Sequence, residues 1–457
     1  MYLTIEKWIN QINDVVWGPI LLILLFGTHI FLTFRLGFIQ RFIGLGIKIS
    51  IKKEEGKGDI SQFAALTTAL AATIGTGNIV GVATAISMGG PGALLWMWLT
   101  GVFGIATKYS EALLSIKFRE IDKKGNIVGG PMFVLEKGLK QKWLGIIFAV
   151  LTVIASFGIG NMVQANSISH LLNDQFSIPQ QITGIILALL TGLVIIGGIR
   201  SIAKVCEILV PFMAFFYIVS LFVIIVLTLN KIPETFYLVF TTAFTGQSAI
   251  GGFVGAGVKE AIRAGIARGL FSNESGLGSA PIVAAAAQTK NAVRQALVSA
   301  TGTFWDTVVI CALTGIAIIN TDSWKMGLKG AEITNQTFSI LGNWGGIILS
   351  ISLLLFVFST ILGWSYYGEK ALEYIAGIKS IMIFRIIWIV FIFIGATTTL
   401  NIVWGFSDIA NALMAIPNLI SLLLLNNFIK KETDKFLSKE NIDKEDPELI
   451  HLEEFKK

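Results

Sequence analysis

Charge is what this chain has least of. Only 14% of its 457 residues are Asp, Glu, Lys or Arg, against about 25% in soluble domains, which excludes a water-facing surface over most of the molecule. Cysteine and histidine are scarcer still, at two and three residues. Cys206 and Cys311 fall inside apolar runs, so no disulfide framework or thiolate metal site follows from them, and both read as packing residues. The scattered histidines complete no metal-ligand set and no nucleophile–base pair; His29, among apolar neighbours, reads as a satisfied interhelical donor. The N-terminus has neither the basic start nor the small-residue cleavage site of a signal peptide, so the first apolar run is expected to stay as a membrane helix. A net charge of +6 does not point to nucleic acid. The basic residues sit in short connections between apolar runs, not on a soluble face interleaved with aromatics.

What the chain has in quantity is apolar sequence: 54% of residues are hydrophobic and the mean hydropathy is +0.74. The fold class expected is an all-α polytopic membrane protein. At about twenty apolar residues per crossing, about 11 transmembrane helices are predicted. They cover residues 17–40, 60–88, 93–118, 144–169, 181–198, 208–229, a seventh that contains 269–281 and ends near Lys290, then 296–319, 344–367, 386–399 and 403–425. Basic clusters at Arg41, Lys48, Lys52, Lys53 and Lys57, at Arg119, Lys123 and Lys124, at Arg200 and Lys204, and at Lys430 and Lys431 alternate with weakly charged connections. They predict a cell (inner or plasma) membrane protein with the N-terminus outside and the C-terminus cytoplasmic. Lys259, Arg263 and Arg268, expected ahead of the seventh span, go against that bias.

The organisation predicted is an extra N-terminal span with a cytoplasmic loop (1–58), two five-helix blocks (59–230 and 261–430), an extracytoplasmic connection (231–260) and a charged cytoplasmic tail, frayed or a surface helix (431–457). The connection, with FTTAFTGQSAIGGFVG at its centre, is too polar and glycine-rich for an ordinary span. Because five is odd, the two blocks must insert with opposite orientation, which is the arrangement of an inverted repeat.

Each block opens on an interrupted helix. AATIGTGNIVG (71–81) lies in the second span and GLFSNESGLGSAP (269–281) in the seventh. Irregular backbone at membrane depth survives only where protein or a wet cavity surrounds it, and two such segments in corresponding positions point to a transporter's binding site. A break frees N–H groups at the start of one half-helix and C=O groups at the end of the other, with helix dipoles behind them. In the second span, carbonyls near Ala71 and Ile74 suit a hard cation, while Gly77 and Asn78 offer amides to a carboxylate. The alternative is that Gly77, Gly81 and Ala85 form a small-residue packing face.

In the seventh span, Glu274 either faces an ammonium or cation, or is structural, satisfying freed amides or pairing with Arg263 or Arg268. Phe356, Ser359 and Thr360 share a helix face at i, i+3, i+4 and either complete a sodium site or bond back to their own preceding turn. Asn161 and Gln164 reach a polar substrate or bridge helices, and Trp364 and Phe271 wall a small pocket or simply pack. Asp306 and Asp408 are buried-charge candidates without an assignable partner.

ATIGTGNIVGVAT (72–84), GGPG (89–92), ATKYSE (106–111), GGPM (129–132), GNMVQANS (160–167) and GLFSNESGLGSAP together resemble the alanine or glycine:cation symporter family, also called the sodium:alanine symporters, over nearly the whole chain. That family is similar in architecture to the leucine-transporter fold of the amino acid-polyamine-cation superfamily, with one extra helix before a 5+5 inverted repeat. The resemblance implies that Thr76, Gly77, Asn78, Gln164, Phe271, Ser272, Gly276 and Trp364 contact a small amino acid. It further implies Na+ among the carbonyls of Ala71, Ile74 and Phe356 and the hydroxyls of Ser359 and Thr360.

The expected function is import of alanine and/or glycine with Na+ by alternating access, with no catalytic residues and no cofactor beyond the coupling ion; H+ coupling stays open. The partners expected are a small amino acid and the lipid bilayer, with no nucleic acid. A cation-coupled carrier of an amine or nucleobase shares the breaks and differs in pocket polarity. A channel calls for repeated pore-lining segments and an enzyme for a reactive constellation.

Overall fold

The structure is a computed structural model and describes residues 2–52, 56, 58–245, 257–398, 400–438 and 440–449. Among these, six helices are long and apolar enough to cross a bilayer alone: Lys142–Phe176, Gly198–Leu227, Ala292–Asn320, Ala331–Ala376, Ser380–Thr397 and Ser407–Leu424. Two bent pairs, Lys7–Val16 with Pro19–Arg35 and Gln62–Thr73 with Gly77–Gly89, pass the same test together. Three expected spans fall short of it for physical reasons. Gln180–Ile195 has only 16 residues. Gly92–Lys117 has 26 but carries Lys108 and Glu111. Val258–Asn273 holds Lys259, Glu260, Arg263 and Arg268 and stops at the second break. With these three, the all-α plan of one span ahead of two blocks of five stands.

Several boundaries differ from expectation. The sixth span begins at Gly198, so Arg200 and Lys204 lie in its first turns, not in a connecting turn; a helix satisfies its own backbone wherever the membrane edge falls. The seventh begins at Val258, which puts Arg263 and Arg268 inside it. Each has a carboxylate partner, Asp14 at 2.7 Å and Asp408 at 2.5 Å, and this pairing lets the helix carry them. Two pieces not expected as helices are helical: Tyr2–Val16 before the first span and Ile43–Ser50 after it. Asn13 and Trp17 donate to the carbonyls of Gly405 and Asp408, bracing the start of the eleventh span. Ile232–Thr245 is a helix packed on the third span; the polar centre of that connection, 246–256, lies outside the described residues, as do Lys53 and Lys57.

The third span, Gly92–Lys117, is the spine, packed against the first, seventh and eighth. Lipid tails are as apolar as leucine, so helices associate in it through close approach and hydrogen bonds. A Cβ at Gly101 would stand 2.6 Å from Thr307 Cγ2, so any side chain there pushes the eighth span away.

On the face opposite the N-terminal helix, the entry of the second span and the exit of the seventh are stapled. The Asp59 and Ile60 amides donate to the Ala286 carbonyl at 2.8 and 3.2 Å, and the Gln288 amide to the Ile60 carbonyl at 2.8 Å. Arg119 donates to the Ala285 and Ala287 carbonyls at 3.0 Å each. The tail docks on the same face. Asn291 Nδ2 donates to the Ile442 and Lys444 carbonyls at 2.9 Å each, the Asp446 amide to the Lys290 carbonyl at 2.9 Å, and Arg294 pairs with Asp443.

Candidate substrate and ion site

Gln62–Thr73 ends because Ile74 leaves the helix at φ −75°, ψ 93°; the chain re-enters through a wide turn at Gly77–Gly81, bent by 50°. The freed amides are those of Gly75 and Thr76, and neutral side-chain oxygens hold them. Gly75 N–H donates to Asn78 Oδ1 at 2.9 Å and Thr76 N–H to Gln164 Oε1 at 3.2 Å. On the carbonyl side, Thr360 Oγ1 donates to Ala71 O at 3.0 Å and Ile74 O at 3.3 Å, while Ser359 Oγ lies 2.9 Å from Phe356 O and 3.4 Å from Ala71 O. The five oxygens expected to hold sodium therefore meet in one buried place. Both readings of the hydroxyl pair hold in part: Ser359 bonds back to its own turn, whereas Thr360 reaches across to the break. Gly75 is obligatory here, since a Cβ would stand 2.5 Å from Thr360 Oγ1 and 3.1 Å from Gln164 Oε1.

The other side of the second-span break meets the eighth span. Asn78 Nδ2 donates to Asp306 Oδ1 at 2.7 Å and to Asp306 O at 3.2 Å; Ser272 Oγ donates to Asp306 Oδ2 at 2.9 Å. Asp306 thus has partners that its sequence neighbours did not reveal. It lies in a wide helical turn, Phe304–Cys311, of the kind concentrated at functional sites. Cys311, read as a packing residue, borders the same cluster, 3.3 Å from Asn78 Nδ2 and 3.2 Å from Ser272 Oγ. The two breaks touch at Gly77, where a Cβ would be 3.0 Å from Ser272 Cα.

The seventh-span break is built differently. Val258–Asn273 ends at Glu274, in the left-handed region at φ 56°, and Gly276 (φ 93°) and Gly278 (φ 82°) follow. The amides of Gly276 and Gly278 both donate to Glu111 Oε1 of the third span, at 3.0 Å each, and Asn418 Nδ2 donates to the same oxygen at 2.6 Å. Glu274 accepts from Trp364 Nε1 at 2.7 Å and Ser279 Oγ at 2.5 Å. Of the pairings expected for a structural role, neither the freed amides nor Arg263 or Arg268 is what its carboxylate meets. Arg263 and Arg268 are held towards the N-terminal face by their own carboxylates, and Glu111 takes the freed amides.

Towards that face Phe271 stacks on Trp404 with centroids 5.0 Å apart. The Arg268 guanidinium lies 5.7 and 5.2 Å from the two ring centroids and pairs with both oxygens of Asp408, at 2.9 and 2.5 Å. A cavity of about 570 Å³, lined in part by Arg268, Trp404 and Asp408, opens on this stack.

Of the residues expected to contact substrate, Thr76, Gly77, Asn78, Gln164 and Ser272 come together. Trp364, one turn beyond Thr360, bonds Glu274 instead, and Phe271 stacks on Trp404 towards the N-terminal face. Gly276 stands apart, on Glu111 and Asn418. Asn161 bridges helices, donating to the Trp388 carbonyl at 2.9 Å. His29 makes an interhelical contact, Nδ1 2.7 Å from Thr107 Oγ1, but is not the satisfied residue expected, since its Nε2 is buried with no partner among the described residues. Sequence reasoning missed Lys108, Glu111, Asn418 and the Arg268–Asp408 pair. Lys108 and Glu111, two charges three residues apart inside an apolar helix, were the available signal; Asn418 gave none.

Two interrupted helices from opposite halves, facing each other at the centre of the bundle, define a secondary transporter of the leucine-transporter fold. A solved structure of MhsT in complex with L-phenylalanine shares the fold, with a TM-score of 0.60 at 16% identity, over 88% of this chain and 96% of that one. The chain belongs to the sodium:alanine symporter family, whose profile matches residues 2–450. It is 50% identical to the sodium/alanine symporter AgcS of Methanococcus maripaludis, over 94% of this chain and 96% of that protein. It is 49% identical to an uncharacterized transporter of Haemophilus influenzae, over 98% and 100%, and 37% identical to GlnT of Bacillus subtilis, a probable sodium/glutamine symporter, over 93% and 89%. It is a multi-pass membrane symporter of a small amino acid, coupled to sodium.

Proposed function

We propose that the chain imports alanine or glycine, and that the second-span break is where both substrate and ion bind. The observation that carries this reading is that side-chain carbonyl oxygens, not a backbone or a carboxylate, occupy the amides of Gly75 and Thr76. They are exchangeable placeholders. The carboxylate of an incoming amino acid replaces Gln164 Oε1 on the Thr76 amide, at the positive end of a half-helix. Its ammonium turns to Ser272 and Asp306, and the contact of Gly77 with Ser272 leaves room only for a small side chain between Phe271 and Trp364.

Sodium takes the carbonyls of Ala71, Ile74 and Phe356 with the hydroxyls of Ser359 and Thr360, which rotate to present oxygen. Unwound carbonyls at a half-helix end are the usual sodium ligands of such transporters. Filling the cage ties the second span to the ninth. The stack of Phe271, Trp404 and Arg268 then opens and closes one path, and the staple at Ile60 and Ala286 the other. With the N-terminus outside and the tail in the cytoplasm, the sodium gradient drives import.

The test is uptake of radiolabelled alanine into proteoliposomes under an inward sodium gradient, beside a potassium control and Asn78→Ala. Sodium-dependent uptake that collapses in the variant is expected. Uptake indifferent to sodium moves the coupling to protons, as in the name of a 34% identical Bacillus subtilis relative, a putative sodium/proton-dependent alanine carrier protein. Absence of uptake under any gradient sinks the alanine and glycine assignment in favour of another small solute.

A further inference from the structure

The third span carries a charge that the chemistry above does not use. Lys108 is 3% exposed, in the middle of an apolar helix, and its Nζ has no hydrogen-bond partner among the described residues. One turn on, Glu111 shares its face; its Oε1 holds the break, while its Oε2 is buried with no hydrogen-bond partner among the described residues. From the other elements, the seventh-span break packs on this face: a Cβ at Gly104, one turn before Lys108, would stand 3.1 Å from Ser275 Cβ, next to Glu274. Asp306 of the eighth span meets the same break through Ser272. Lys108 forms no direct ion pair with these carboxylates among the described residues, so its charge bears on them only through its field. His29 of the first span closes the group, its Cε1 3.4 Å from where a Gly276 Cβ would be.

An ammonium kept out of water is among the costliest groups a bundle can bury. Leucine or methionine would serve the helix as well. The charge is retained for its field. We propose that Lys108 is a tethered cation that binds Glu111 and Glu274 into one charged unit across the seventh-span break, and so positions Glu274 against Trp364 for substrate binding. One break then receives its cation from solution, while the other has its cation built into the chain. The position of Trp364 is the link to transport, and in that respect the inference rests on the reading of the site given above.

The experiment is a double-mutant cycle on the full chain with Lys108→Met, Glu274→Gln and both together, beside Lys108→Arg. Each is read as thermal midpoint in detergent without substrate and as half-saturating alanine in proteoliposomes. Lys108→Met lowers the midpoint and raises half-saturating alanine by about tenfold or more, the loss expected for a buried carboxylate left without its cation. Lys108→Arg keeps most of the stability. The double variant, which removes one charge of each sign, recovers at least half of the midpoint lost. Losses that simply add in the double variant overturn the proposal and leave Lys108 as a space-filling side chain. If Lys108→Met does not fold, recovery of folding in the double variant supports the proposal and persistent failure overturns it. The melting arm needs no substrate, so it is decided even if alanine is not what the protein carries.

Discussion

The freed amides of the second-span break are held by neutral oxygens of Asn78 and Gln164, whereas those of the seventh-span break are held by the carboxylate of Glu111. The backbones differ in the same sense. The second-span break has no residue of positive φ between 74 and 78, while the seventh has Glu274, Gly276 and Gly278 in or near the left-handed region. A neutral hydrogen bond contributes about 0.5–1.5 kcal/mol net and one to a charged group about 1.5–3. A ligand can displace the first kind; it cannot readily displace the second. On the function proposed above, the second-span break is then the side where ligands come and go, and the seventh-span break a fixed bend against which they are held.

The hardest blow to this distinction is Glu111→Ala set against Asn78→Ala. The first leaves two buried amides without their shared acceptor and is expected to cost about 3–5 kcal/mol, as for one removed partner of a buried ion pair. It shows as a large fall in thermal midpoint together with lost uptake. Asn78→Ala is expected to lose uptake and to cost less stability, about 1–3 kcal/mol, for the Gly75 amide and the Asp306 oxygen it leaves unpaired. Equal melting losses would erase the contrast between the breaks.

Thr360→Val sharpens it. The parent chain should gain about 2.7 kcal/mol of stability from sodium at a hundred times its dissociation constant, and the variant should gain far less while melting normally in potassium. A full sodium-induced shift in the variant would take Thr360 out of the ion site. Smaller is Gly276→Ala, which forces an alanine to φ 93° and should cost about 1–2 kcal/mol. Gly81→Ala, where the nearest atom to the new Cβ is 3.8 Å away, should be nearly neutral in the same melting assay.

The second-span break was legible because its signals are local. Glycine, threonine and asparagine interrupt an apolar run, and Phe356, Ser359 and Thr360 announce their shared face by spacing alone. The seventh-span break was legible as a break and misread in its partners. Glu111 is 165 residues from Gly276, and Asp408 is 140 from Arg268, so neither pairing leaves a mark on the sequence around either member. Span edges slipped for a further reason: the helix beginning at Gly198 runs through Arg200 and Lys204, because hydrogen bonding continues where hydropathy stops. Asp306 was noticed as a charge and left unassigned, since only the folded chain brings it to Asn78 and Ser272.

The docking of residues 442–446 on Lys290, Asn291 and Arg294 also has a meaning in time. Synthesis runs from N- to C-terminus, so the seventh and eighth spans leave the ribosome more than a hundred residues before the segment that seals the turn between them. Until that segment arrives, the side-chain amide of Asn291 lacks the Ile442 and Lys444 carbonyls it meets in the finished fold. A chain interrupted after the eleventh span can insert every helix and still present a raw edge to proteases. The turn between those two spans is therefore the last part of the bundle to be sealed, after the eleventh span has been made.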